Sequence, residues 1–162
     1  MSPGCPAIHK SGSRPETTTA FLSVVAPPRS TSGTAGSGDD TDPWLETLHG
    51  EVDGTLYSVV TFDPNDFDLR YISEETREMC PTEDAMYEHF ERIFDYVGID
   101  FAEKALFTDV LFSGSGRVQY MTTCLETVKL VRVYAGSEGV FLGVDPDEPV
   151  PPLVDVVETH VF

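Results

Sequence analysis

The chain has 162 residues, 40% of them apolar, which is enough for one domain with a real core, and its formal net charge is −18. With 28 acids against 10 bases, it lacks the clustered Lys and Arg that a nucleic acid or an anionic membrane surface requires. No run of 18 apolar residues offers a transmembrane helix, and three unevenly spaced cysteines, Cys5, Cys80 and Cys124, form neither a metal-type pair nor an even disulfide framework.

The charge identifies a habitat. Only Lys10, Lys104 and Lys129 are lysines. A carboxylate-rich, lysine-poor surface stays hydrated in concentrated salt, where screening removes its self-repulsion. The expectation is a halophilic, haloarchaeal protein of a reducing cytoplasm.

Charge also divides the chain. Residues 1–38 hold Lys10, Arg14 and Arg29 against Glu16, whereas residues 39–162 hold seven bases against 27 acids. "RPETTT" and "APPRSTSGTAGSG" are Ser/Thr/Pro/Gly-rich and offer little apolar surface to offset chain entropy. Residues 1–41 are therefore expected to be a disordered segment, or to precede the true translation start. "AFLSVVA" is too short, and follows an acid, for a secretory signal. A single acidic domain is expected over 42–162.

In that domain, "DPWLETLHGEV" places Asp42 as N-cap and Pro43 at the first helical position, with Leu45, Leu48 and Val52 on one face. "TLYSVVTF" and "FDLRYI" alternate as strands around the turn "DPND", which makes a hairpin. Ser73 caps a helix that Pro81 interrupts. Met86, Phe90, Ile93, Phe94 and Val97 then form one apolar face, and Gly98 is expected to stop it. "DFAEKALFTDVLF" reads as a short helix. "RVQYMTTCLET", "VKLVRVYAG" and "GVFLGVD" are three strands, and Pro151 and Pro152 open a last helix facing the core with Leu153, Val154, Val157 and Val161.

The expected fold class is thus α+β, a five-stranded antiparallel sheet with helices packed on it in the order α-β-β-α-β-β-β-α. That order resembles roadblock/LC7 and profilin-like domains. Separately, "LYSVVTFDPNDFDLRYI", "VKLVRVY" and "GVFLGVD" resemble segments of a family of small acidic haloarchaeal proteins of unknown function, over roughly residues 45–160. Members of that family often place an arginine and two acids after the second strand; "ISEE" keeps the acids and lacks the arginine. The family implies no activity.

The candidate chemistry is thin. Asp63, Asn65 and Glu74 match positions 1, 3 and 12 of a calcium loop, but Phe67 and Asp68 occupy positions 5 and 6, so the pattern fails. His49, His89 and His160 are isolated, and neither Cys80 nor Cys124 has a local base. "FSGSGRVQYMTT" has the look of a phosphate loop, yet it lacks the lysine and feeds a strand rather than a helix. Gly114 and Gly116 are read as a backbone joint. No catalytic residue, metal ligand or cofactor site is assigned. Tyr57, Tyr87, Tyr96, Tyr120 and Tyr134 exceed what the core needs, and Tyr57, Tyr120 and Tyr134, on one face of a half-open sheet, are the candidate interaction surface. These readings favour a non-enzymatic interaction or dimerisation module with a homodimer or protein partner. The alternative is a small-ligand sensor with a pocket between the sheet and the 82–97 helix.

Overall fold

A computed structural model describes residues 42–162; the expectations for residues 1–41 lie outside the described residues. Helix α1 (Pro43–Glu51) starts at the expected proline. Asp42, however, makes no side-chain cap bond; its carboxylate pairs instead with Arg70 of the second strand. Leu45 and Leu48 are buried.

Strands β1 (Leu56–Phe62) and β2 (Phe67–Ile72) pair antiparallel. Asp63 Oδ1 holds the turn between them by accepting the Asn65 N–H at 2.7 Å and the Asp66 N–H at 3.0 Å. The best calcium-like residue of the sequence is therefore committed to turn geometry.

The middle of the chain is helical and is interrupted around Pro81, as expected. It contains α2 (Glu74–Met79), α3 (Glu83–Asp95) and α4 (Val97–Ala105), then a π-helix over Leu106–Leu111. Ser73 caps α2 through the Thr76 N–H, and Thr82 caps α3 through the Ala85 N–H. Gly98 does not stop a helix; it lies in the first turn of α4. A glycine stop needs a left-handed φ, and among the described residues only Gly114, Gly116 and Gly136 adopt one. The break falls instead at Tyr96, whose N–H bonds back to Ile93 O at 3.2 Å.

Strands β3 (Tyr120–Cys124), β4 (Lys129–Ala135) and β5 (Glu138–Val144) follow, then α5 (Val150–His160). Strand β3 begins three residues later than the pattern predicts; ahead of it the Arg117 guanidinium donates to Tyr134 O at 2.7 Å and to Glu158 at 3.0 Å. Gly114 and Gly116, with φ of 92° and 89° and open space around them, are indeed the joint before it.

The sheet order is β2-β1-β5-β4-β3, antiparallel throughout. Both faces are covered. One core joins Leu48, Val59, Val133 and Leu142 to Leu153 and Val157, beneath α1 and α5. The other joins Phe62, Tyr134 and Phe141 to Met86, Phe90 and Val97, beneath α3 and α4. This explains why β5 reads as nearly continuous apolar sequence: a central strand covered on both sides has no solvent face to alternate with.

Candidate interaction surface

Of the three candidate tyrosines, Tyr134 must be withdrawn from the surface. It is fully buried. The half-open sheet face that was expected to display it does not exist, because α4 lies across β4. Its hydroxyl donates to Asp100 at 2.6 Å, and its ring packs edge-on against Phe62 and Phe101. Burial, reinforced by that bond to a carboxylate, drives the phenol pKa well above its usual value. Tyr57 is half-buried where the loop into α2 bonds back to β1. Burial, and then the charges of Asp145 and Glu75, raise its pKa. Tyr120 alone is plainly exposed, on β3.

Strand β3 occupies an outer position of the sheet, and four of its five residues are exposed. One edge faces β4 and the other carries no strand partner among the described residues. Such an edge is a ready template for another strand.

A second feature was anticipated only at Tyr96, which is exposed. Ile99, Leu106, Val110, Leu111 and Phe112 are all exposed, with Val110 at 68%. Tyr96, Ile99, Leu106 and Val110 follow helical spacing and form a ridge along α4 and the π-helix. The side chains that reach the sheet, Val97, Asp100, Phe101 and Lys104, lie on the other side of the helix. At its end the Phe112 N–H bonds to Phe107 O at 2.8 Å, the i to i+5 step of a π-turn, and the two rings stack. The sequence did carry a signal: "VGIDFAEKALFTDVLF" has apolar residues on two sides of one helix, more than one buried face uses.

The polar contacts under α4 are more specific. Asp100 accepts from the Tyr134 hydroxyl and lies 2.9 Å from Arg132 Nε, both ion-pair side chains being 15% exposed. The Nε–H is not aimed at that oxygen, so charge rather than an aligned hydrogen bond holds the pair. Lys104 Nζ sits 4.0 Å from the Tyr134 ring centroid and donates to Gly136 O at 3.1 Å. Burial, and next the charge of Arg117, lower its pKa.

The other candidates resolve into structural roles. His49 packs edge-on against Tyr71. His89 is half-buried, and burial together with Arg92 lowers its pKa. Among the described residues no group of three or more His, Cys, Asp or Glu is placed to hold a metal ion. The space between the sheet and α3, where a sensor pocket was considered, is filled by rings: Phe94 stacks on Phe67 at 4.8 Å and meets Phe62 and Phe141. A cleft of about 220 Å³ remains at the margin, between the β1–β2 turn and Glu91, Phe94 and Asp95 of α3, and a groove of about 380 Å³, open to solvent, lies between that turn and Phe162. Glu148, which the sequence did not single out, is a buried carboxylate. It accepts the Asp53 and Gly54 N–H groups at 3.1 and 2.9 Å and clamps the entry of β1 to the entry of α5.

An antiparallel sheet in the order 2-1-5-4-3, with the terminal helices on one face and the middle helices on the other, is the Roadblock/LC7 fold. The chain superposes on a Roadblock/LC7 domain from Streptomyces avermitilis with a TM-score of 0.50 and 12% identity, over 73% of this chain and 89% of that one. It is also similar to MglC from Myxococcus xanthus at a TM-score of 0.40 and 13% identity, over 72% and 89% of the two chains. By sequence the chain belongs to the family described as Domain of unknown function (DUF7522), which matches residues 42–162. No curated protein sequence matches it. Among the described residues, no helix is long and apolar enough to cross a membrane.

Proposed function

We propose that this domain is a non-enzymatic interaction module that pairs with a second copy of itself through the α4–π-helix ridge and the free edge of β3. The observation that carries the reading is the ridge: apolar side chains in helical register, exposed on a chain that also has an unpaired edge strand and is otherwise strongly acidic. A second copy is the occupant that fits both features. An antiparallel edge is self-complementary about a two-fold axis, so a second copy can extend the sheet at β3. Tyr120, on that edge strand, belongs to the surface; Tyr57, beside α2, does not.

The setting proposed for it is a haloarchaeal cytoplasm. Seven bases against 27 acids over residues 39–162 support the salt-adapted reading. The functional unit in this reading is residues 42–162. Light scattering of the full chain in about 2–3 M KCl, where surface charge is screened, tests the central point. The expected mass is twice 17.8 kDa; a strict monomer at high concentration overturns the reading.

A further inference from the structure

Helix α4 reaches the sheet largely through polar groups. Val97 is its one fully buried residue, and Phe101 adds a half-buried ring against Tyr134. Asp100, by contrast, stands where several elements meet. It takes the Tyr134 hydroxyl at 2.6 Å and the Arg132 guanidinium at 2.9 Å, both from β4. Arg132 continues outward: its Nη1 donates to Thr123 Oγ1 of β3 at 3.1 Å. One carboxylate and one guanidinium therefore connect the helix that bears the ridge, through β4, to the strand that bears the free edge. One turn further along α4, Lys104 adds its contacts to the Tyr134 ring and Gly136 O. All of these lie on the side of the helix away from Ile99, Leu106 and Val110.

We infer that Asp100 is the positioning residue of the self-association surface: it fixes the ridge of α4 in register with the β3 edge. The inference rests on the self-association reading above. Its physical basis is an asymmetry. The two apolar cores hold β1, β4, β5, α1, α3 and α5 without help from Asp100, whereas α4 has little apolar anchorage of its own. Removing one member of a buried ion pair leaves the other charge uncompensated and is far costlier than exchanging surface charges. The cost here falls on the docking of α4, as a local opening rather than a global one. The pair is also withdrawn from solvent, so concentrated salt screens it far less than it screens the surface acids.

The test uses the full chain in about 2–3 M KCl and compares wild type, Asp100→Asn, Val110→Glu and the double variant. Self-association is read by sedimentation, and amide hydrogen exchange is read segment by segment. Asp100→Asn is expected to raise the dimer dissociation constant at least tenfold. In the double variant, amides of 97–111 should exchange at least tenfold faster than in Val110→Glu alone, with β1 and β5 unchanged. Tyr134→Phe, which removes only the hydroxyl, is the milder variant and should shift both readouts in the same direction by less. Dimerisation as strong as wild type in Asp100→Asn, with Val110→Glu monomeric, overturns the positioning role and leaves the surface standing. Weaker association without faster exchange in 97–111 also overturns it. Wild-type association in Val110→Glu removes the surface and this inference with it.

Discussion

Gly139 of β5 lies directly beneath the ring of Phe62 of β1, its partner across the strand pair. A β-carbon at 139 would stand 2.3 Å from Phe62 Cζ and 2.8 Å from both Cε atoms. The glycine is there for close approach, since its φ is not in the left-handed region. Gly139→Ala is expected to destabilise the domain by about 1–3 kcal/mol, the usual cost of overpacking. Phe62→Leu in the same chain should recover part of that loss, because the two positions share one space. Denaturant midpoints of the four variants check this; additive losses would contradict it.

Glu148 gives a second stability prediction. Its carboxylate satisfies two backbone N–H groups at the entry of β1, and its own carbonyl accepts from Lys129. Glu148→Ala should cost about 1–2 kcal/mol, and Glu148→Gln, which keeps one acceptor, less. Equal midpoints for wild type and Glu148→Ala would show that water replaces the clamp without loss.

His89 predicts a pH dependence. Burial, and then the nearby Arg92 charge, place its folded pKa below 6.5. The unfolded chain thus binds the proton more readily. Stability is unaffected above pH 6.5 and falls as pH drops through that value, levelling off below the folded pKa. Wild type should therefore lose more Tm than His89→Gln between pH 7.5 and 5.5. Parallel curves would contradict the sign.

The acid excess predicts a salt response. With seven bases against 27 acids over residues 39–162, the excess carboxylates repel one another in dilute buffer. Tm should rise as KCl goes from about 0.1 M to 3 M, over which the Debye length shrinks from ~10 Å to below ~3 Å. A flat or falling Tm would remove the halophilic reading.

Much of the fold was legible in the residues. Alternation placed β1, β2 and β4, an apolar run after the turn "GSEG" placed β5, and Pro43, Ser73 and the Pro151–Pro152 pair marked helix starts close to where they lie. These signals are local, carried by a cap, a turn or a period. The surface was less legible. Tyr134 was read as exposed because alternation separates the two faces of a strand but does not say what covers either one. Gly98 was read as a stop because glycine often ends helices, yet only its φ decides. Ile99, Leu106 and Val110 escaped notice because a π-turn follows α4 and blurs the helical period. Asp100 and Glu148 could not be found at all from spacing. Their partners, Tyr134 and Gly54, are 34 and 94 residues away, and only the folded chain brings them together.

The central claim is that the ridge seats a second copy of the chain. Sedimentation equilibrium of full-length Val110→Glu in about 2–3 M KCl, beside Thr47→Glu as a control of equal charge on the exposed face of α1, tests it most directly. A glutamate buried against the opposing ridge should weaken the dimer by roughly 100-fold, about 2–3 kcal/mol. The account predicts a dimer for wild type and Thr47→Glu and a monomer for Val110→Glu. A monomeric wild type, or a Val110→Glu that dimerises as tightly as wild type, would contradict it.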